Sequence, residues 1–198
     1  MRKVNLIASV AHQPCYEDGD FIGVDGGSEY LIKQGLPIVA IIGDFDSLKP
    51  KLLNEVDTSK IKVMRLNPIK DHTDLDMAIQ WVKTLNYDQI NIYGAIGQRI
   101  DHSLININLL KKNRDVIFYD DYSCLKVLKK GIHYFTSTDC YYSFFSIESE
   151  TIINLNGFKY DLVNYHLASD DTLCVSNEIA CNQARVECNK DIIVVLSR

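Results

Sequence analysis

Short apolar runs alternate with helix-period segments along the first 122 residues, and this alternation limits the chain to few folds. The runs are VNLIASV (4–10), FIGVD (21–25), IVAIIG (38–43), IKVMRL (61–66), QINIYG (89–94) and DVIFYD (115–120). Three of them are nearly all apolar, as strands covered on both faces are. Between them, SEYLIKQ (28–34) predicts a helix capped by Ser28 and stopped at Gly35. DLDMAIQWVKTL (74–85) sets Leu75, Ala78, Ile79, Val82 and Leu85 at helical spacing behind Thr73 as cap. HSLININLLKK (102–112) predicts a third helix. Strands alternating with helices predict an open, mostly parallel α/β sheet over residues 1–122.

Beyond residue 122 the helical period disappears. Alternating segments at 140–148, 151–155, 172–176, 184–188 and 192–197 are separated by turn signals at Asn156-Gly157, Asp170-Asp171 and Asn189-Lys190. They predict an antiparallel β-sandwich over 123–198. The chain has 198 residues, enough for both units to hold a core. No apolar run reaches membrane-spanning length, and VNLIASV reads as a first strand rather than a leader, so a cytoplasmic protein is expected.

Net charge is −5, and the nearest basic stretch, KVLKKG (126–131), is too short to bind nucleic acid. Cys174, Cys181 and Cys188 are evenly spaced, but strand residues seven apart face opposite ways. None of the six cysteines forms a C-x-x-C pair, and buried free thiols are expected.

In an open α/β sheet, ligands bind beyond the carboxyl ends of the strands. Here those ends carry Asp25-Gly26-Gly27, Gly43-Asp44-Phe45-Asp46-Ser47 and Gly94-Ala95-Ile96-Gly97-Gln98-Arg99-Ile100-Asp101-His102, with Lys70-Asp71-His72-Thr73-Asp74 after the fourth strand. A single aspartate after a strand is commonly a helix cap or an Asx turn. Several at one rim repel one another unless a cation shares them, and a set of oxygen ligands suits a hard cation such as Mg²⁺. Glycines beside the acids let phosphate approach the backbone and a helix N-terminus. Arg99 can grip a phosphate in bidentate fashion or form a surface pair with Asp101. His72 and His102 read as capping or hydrogen-bonding residues. Neither a Walker A loop nor a G-x-G-x-x-G fingerprint is present.

In order and approximate spacing these stretches resemble the thiamine pyrophosphokinase family. Gly157-Phe158-Lys159-Tyr160 and Val175-Ser176-Asn177-Glu178 extend the resemblance over nearly the whole chain. The resemblance implies transfer of a diphosphate from ATP to the hydroxyethyl arm of thiamine, giving thiamine diphosphate and AMP. It implies Mg²⁺ held by Asp44, Asp46 and Asp74, with Asp71 as a further candidate ligand, and nucleotide contacts from Asp25, Gly26, Gly27 and Arg99. Ser176 and Asn177 would hold thiamine, and Asp101 would lie near the reacting groups. It further implies an ATP- and Mg-binding domain over 1–122, a thiamine-binding domain over 123–198, and a homodimer whose sites are shared between chains. Two departures stand out. Gln98 replaces a second glycine of many members, and the single tryptophan, Trp81, lies in a predicted helix rather than near the expected thiamine site.

Phosphoryl-type transfer is mostly positioning and charge neutralisation, which agrees with this rim. Arg99 would offset the leaving AMP, and Asp71 or Asp101 would accept the hydroxyl proton. Two other readings use the same residues. One is a Mg²⁺-dependent phosphohydrolase with Asp44 and Asp46 as its pair, and the other a non-catalytic thiamine or nucleotide sensor.

Overall fold

The structure is a computed structural model describing residues 1–8, 16–45, 60–97 and 99–198. It divides into two compact units, residues 1–109 with 115–121 and residues 110–114 with 122–198.

In the first unit, strands β1 (Lys3–Ile7), β2 (Asp20–Val24), β3 (Ile38–Gly43), β4 (Lys62–Arg65), β5 (Gln89–Tyr93) and β6 (Val116–Tyr119) lie in the order β4-β3-β2-β1-β5-β6. Every pairing among them is parallel. The chain builds outward from β1 to β4 and then returns to place β5 on the other side of β1. The strand order therefore reverses between β1 and β5, and the carboxyl ends there form the ligand-binding rim of such sheets. Val4, Leu6, Ile7, Ile41 and Ile42 are fully buried, as the all-apolar runs require.

Helices α1 (Gly26–Gln34), α2 (Asp74–Lys83) and α3 (Ile100–Lys112) follow β2, β4 and β5. Gly35 stops α1 in the left-handed conformation, with φ of 64°. Thr73 caps α2 by accepting the Asp76 N–H at 3.2 Å. Ser28 does not start α1. That helix begins two residues earlier behind Asp25, and Ser28 is buried in its first turn because the Ser28 Cα must pass close over Gly23.

The second unit contains two antiparallel sheets. One is β7 (Ser123–Leu128), β13 (Ile192–Ser197) and β9 (Tyr141–Ser146), ordered β7-β13-β9. The other is β8 (Gly131–Thr136), β10 (Thr151–Asn156), β11 (Leu162–Leu167) and β12 (Gln183–Cys188), ordered β11-β10-β12-β8. Tyr142, Phe144, Ile192 and Val194 of the first sheet share a core with Ile153, Leu155, Ala184 and Val186 of the second. Phe158 packs edge-on to both Tyr142 and Phe144. This is the expected sandwich.

Three of its strands were not among the sequence-predicted segments: β7, β8 and β11. The predicted strand at 172–176 is instead a turn, with Ser176 in the left-handed region at φ 56°. Cys174 and Cys188 are buried free thiols. Cys181 is exposed, against expectation, and donates to the Gln183 carbonyl.

Candidate active site

The rim begins where backbone packs on backbone. The Asp25 N–H donates to the Ile42 carbonyl at 2.8 Å, which ties the end of β2 to β3. Asp25 takes φ 48° to turn the chain into α1, and its carbonyl accepts from the Ser28 N–H. A Cβ on Gly27 would stand 1.8 Å from the Ile7 carbonyl oxygen, and one on Gly43 would stand 3.2 Å from the Asp25 Cα. Glycine is therefore needed at Gly27 to bring the first turn of α1 over the end of β1. A Cβ on Gly26 would meet nothing within 4 Å among the described residues. The Asp25 carboxylate makes no capping bond to the N-terminus of α1. The open N–H groups of a helix start attract anions.

Next along the rim, Asp44 follows β3. Phe45 adopts φ 61° and buries its ring beside Ile41, with the Arg65 guanidinium 5.8 Å from the ring centroid. That anchor fixes the turn carrying Asp44. Asp46 and Ser47 lie outside the described residues.

Asp74 opens α2. Its Oδ1 stands 3.3 Å from the Lys70 ammonium, and Asp44 Oδ2 stands 3.8 Å from the same nitrogen. All three side chains are largely covered, at 22% or less exposed. Asp74 Oδ1 is buried and makes no hydrogen bond. Asp44 and Asp74, which lie 30 residues apart in sequence, thus converge on one cation. Among the described residues no three acidic, histidine or cysteine side chains cluster as a complete metal site. A buried carboxylate oxygen facing a second carboxylate across a shared positive charge does fit an oxygen-ligated Mg²⁺. Asp71, three residues before Asp74 in sequence, is exposed. His72 faces the buried Asp76 carboxylate at 3.0 Å, which also accepts from Gln80. His72 is thereby a hydrogen-bonding residue of the α2 start.

The loop after β5 is held by α3. Gly94 and Gly97 take φ of 68° and 151°. The Ser103 hydroxyl accepts the Gly97 N–H at 3.1 Å, and Asn106 donates to the Ala95 carbonyl at 2.6 Å. Ser103 and Asn106 fix the loop shape, a role hidden in sequence because both sit within an ordinary helix pattern. Arg99 and Asp101 are exposed and pair with each other, Nη2 to Oδ2 at 2.5 Å. The Arg99 hydrogen bond holds the Asp101 carboxyl below its ordinary range, and Asp101 in turn raises Arg99.

On the sandwich, Ser176 is exposed and its N–H donates to the Ser143 hydroxyl at 3.0 Å. Asn177 is buried. Its Oδ1 accepts the N–H groups of Tyr160 and Glu178, and its Nδ2 donates to the Tyr160 carbonyl at 2.9 Å. Backbone hydrogen bonds with Tyr142 hold it from the other side. Lys159 pairs with Glu178 at 2.9 Å, so the two family-like stretches, Gly157–Tyr160 and Val175–Glu178, meet at Asn177. A surface groove of about 510 Å³ lies beside them, lined by Asp139, Cys140, Tyr141, Glu178, Ile179 and others of this unit.

Comparison with known families places both halves. Residues 17–118 match the model of the thiamin pyrophosphokinase catalytic domain, and residues 131–193 match that of the thiamin pyrophosphokinase vitamin B1 binding domain.

The chain belongs to the thiamine pyrophosphokinase family.

The thiamine pyrophosphokinase of Bacillus subtilis is 33% identical over 184 residues, spanning 89% of this chain and 86% of that protein. A crystal structure of thiamine pyrophosphokinase from Bacillus subtilis superimposes with a TM-score of 0.87 at 30% identity, covering 99% of each chain. That of the thiamin pyrophosphokinase from Geobacillus thermodenitrificans gives 0.84 at 28% identity, covering 99% of this chain and 97% of the other. The thiamine pyrophosphokinase catalytic match carries Asp25, Asp44, Lys70, Asp74 and Arg99, and the vitamin B1 match carries Ser176 and Asn177. No observation favours the phosphohydrolase or sensor readings.

Proposed function

We propose that the chain performs diphosphate transfer at a magnesium site on the carboxyl rim of the parallel sheet. As a thiamine pyrophosphokinase it uses ATP as co-substrate and converts thiamine to thiamine diphosphate, releasing AMP. The convergence of Asp44 and Asp74 on one cation position is the observation that carries the site assignment.

Asp44, Asp46 and Asp74 would hold Mg²⁺ in this reading, and the ion, when bound, would offset the charge of the ATP phosphates. The start of α1 at Gly26 and Gly27 takes a phosphate against its N–H groups, with Asp25 shaping the turn. Arg99 releases Asp101 and takes the phosphate of the leaving AMP. The thiamine hydroxyl oxygen bonds to the β-phosphorus, the bond from that phosphorus to the α-phosphate oxygen breaks, and AMP departs. Asp71 or Asp101, once Arg99 has let it go, accepts the hydroxyl proton. Ser176 contacts thiamine directly from the sandwich, and Asn177 holds the Tyr160 turn that shapes the same surface.

Residues 1–122 form the ATP and magnesium domain and residues 123–198 the thiamine domain. Two chains form a homodimer in which the rim of one and the sandwich of the other complete each site. Mixing an Asp46→Ala chain with a Ser176→Ala/Asn177→Ala chain tests this sharing. Random hetero-dimers then restore about a quarter of the wild-type activity, whereas a site built within one chain gives none.

Incubation with ATP, Mg²⁺ and thiamine, followed by chromatography, tests the reaction and its metal. Equal amounts of AMP and thiamine diphosphate are expected, with turnover abolished by a chelator and restored by Mg²⁺. Turnover that is indifferent to the chelator contradicts the metal assignment.

A further inference from the structure

Lys70 lies in the family-like Lys70–Asp74 stretch, yet the reaction scheme above gives it no task. Its ammonium stands between two carboxylates that come from different elements, the end of β3 and the start of α2. The distances of 3.8 and 3.3 Å are long for charge-assisted hydrogen bonds, and Asp74 Oδ1 makes none. The ammonium instead donates to the Asn67 carbonyl at 3.1 Å, three residues back in its own loop. Only 17% of the side chain is exposed. A half-buried cation held by a neighbouring carbonyl and set loosely between two acids occupies a charge position, not a bonded one.

We propose that Lys70 is the resident counter-ion of this acid pair, and that the metal must displace it. The inference rests on the magnesium reading given above. Without metal, Lys70 relieves the repulsion between Asp44 and Asp74. Asp44, Asp74 and Lys70 together carry a net charge of −1, against −2 for the two acids alone, so the ammonium weakens their pull on a divalent ion. When the ion enters, like charge drives the ammonium out of the site. The phosphates of ATP then offer it a new partner. Lys70 therefore couples the two ligands. The free protein resists the bare metal, and the metal enters together with the nucleotide. By reciprocity, metal and ATP raise each other's affinity by the same factor.

Direct titration of the nucleotide-free, full-length chain with Mn²⁺, reading free Mn²⁺ by electron paramagnetic resonance, tests this without turnover. Lys70→Met keeps the length and removes the charge. It binds one Mn²⁺ about tenfold or more tighter than wild type, the gain expected from removing a like charge a few ångströms away. Lys70→Arg keeps the charge and stays near wild type. In the same titration with ATP present, after subtraction of the Mn²⁺ taken up by ATP in a protein-free control, the gain in Mn²⁺ affinity caused by nucleotide is about tenfold smaller in Lys70→Met than in wild type. Thermal unfolding in chelator confirms that each variant is folded, and Lys70→Gln replaces Lys70→Met if the latter is not. Equal or weaker Mn²⁺ binding by the folded, uncharged variant overturns the role of Lys70. If Mn²⁺ still binds wild type tightly with ATP, the magnesium reading survives that result. If Mn²⁺ binds neither chain under either condition, both readings fall.

Discussion

The first turn of α1 rests so closely on β1 that a Cβ on Gly27 would stand 1.8 Å from the carbonyl oxygen of Ile7. That oxygen belongs to a buried strand paired on both sides and has no room to give. Gly27→Ala should therefore force α1 off the sheet, at a cost of at least about 3 kcal/mol. Gly26→Ala, whose Cβ would meet nothing within 4 Å, should change stability by less than about 0.5 kcal/mol. Thermal unfolding of the pair checks this. Equal melting temperatures would contradict the packing of the rim.

Asp44→Asn and Asp74→Asn should each lower kcat about a hundredfold or more, since each removes a charged ligand from the proposed metal position. Folding should survive, because fewer facing carboxylates means less repulsion. AMP release at saturating Mg²⁺, with circular dichroism as the folding control, is the measurement.

Ser176 and Asn177 should separate cleanly. Asn177→Ala leaves the Tyr160 N–H and carbonyl and the Glu178 N–H without their side-chain partner. It should cost about 2–4 kcal/mol in stability. Ser176→Ala should melt as wild type but raise the KM for thiamine more than that for ATP. An equal rise in both would count against a thiamine contact at Ser176.

The sandwich should weaken in acid partly through Asp191. Burial alone would push this carboxyl up. The Lys130 N–H, Arg114 and Lys129 outweigh burial and hold it below its ordinary range. A lowered folded value stabilises the protein above the unfolded value of about 3.9 and loses that contribution as pH falls through the folded value. Asp191→Asn should therefore cost about 1 kcal/mol at pH 7. The gap between variant and wild type should close below about pH 4. A gap independent of pH would show that shape, not charge, is at stake.

The parallel half was legible because its strands are covered on both faces. IVAIIG (38–43) can hardly be anything else, and β3 occupies those six residues. Gly35 and Thr73 announced a helix end and a helix start by their chemistry alone. Ser28 misled because a serine ahead of an apolar period reads as a cap, whereas the start was set by a backbone contact at Gly27 that no local pattern reveals. In the sandwich, β7 escaped notice because Lys126 interrupts its apolar residues, and β8 because Gly131, His133 and Thr136 dilute them. Residues 172–176 alternate like a strand, yet Ser176 at φ 56° turns there. The acids of the site were visible from their position after strands. That Asp44 and Asp74 share Lys70 was not, since convergence is a property of the folded sheet.

Transfer of both outer phosphates as one unit is the central chemical claim, and isotopic labelling tests it most directly. ATP labelled at the β-phosphorus and, separately, at the γ-phosphorus is turned over with thiamine and Mg²⁺. Both labels should appear in thiamine diphosphate in equal yield, and neither in AMP or orthophosphate. Appearance of the γ label alone in a thiamine ester, or of either label as orthophosphate at the rate of ATP loss, would contradict the account.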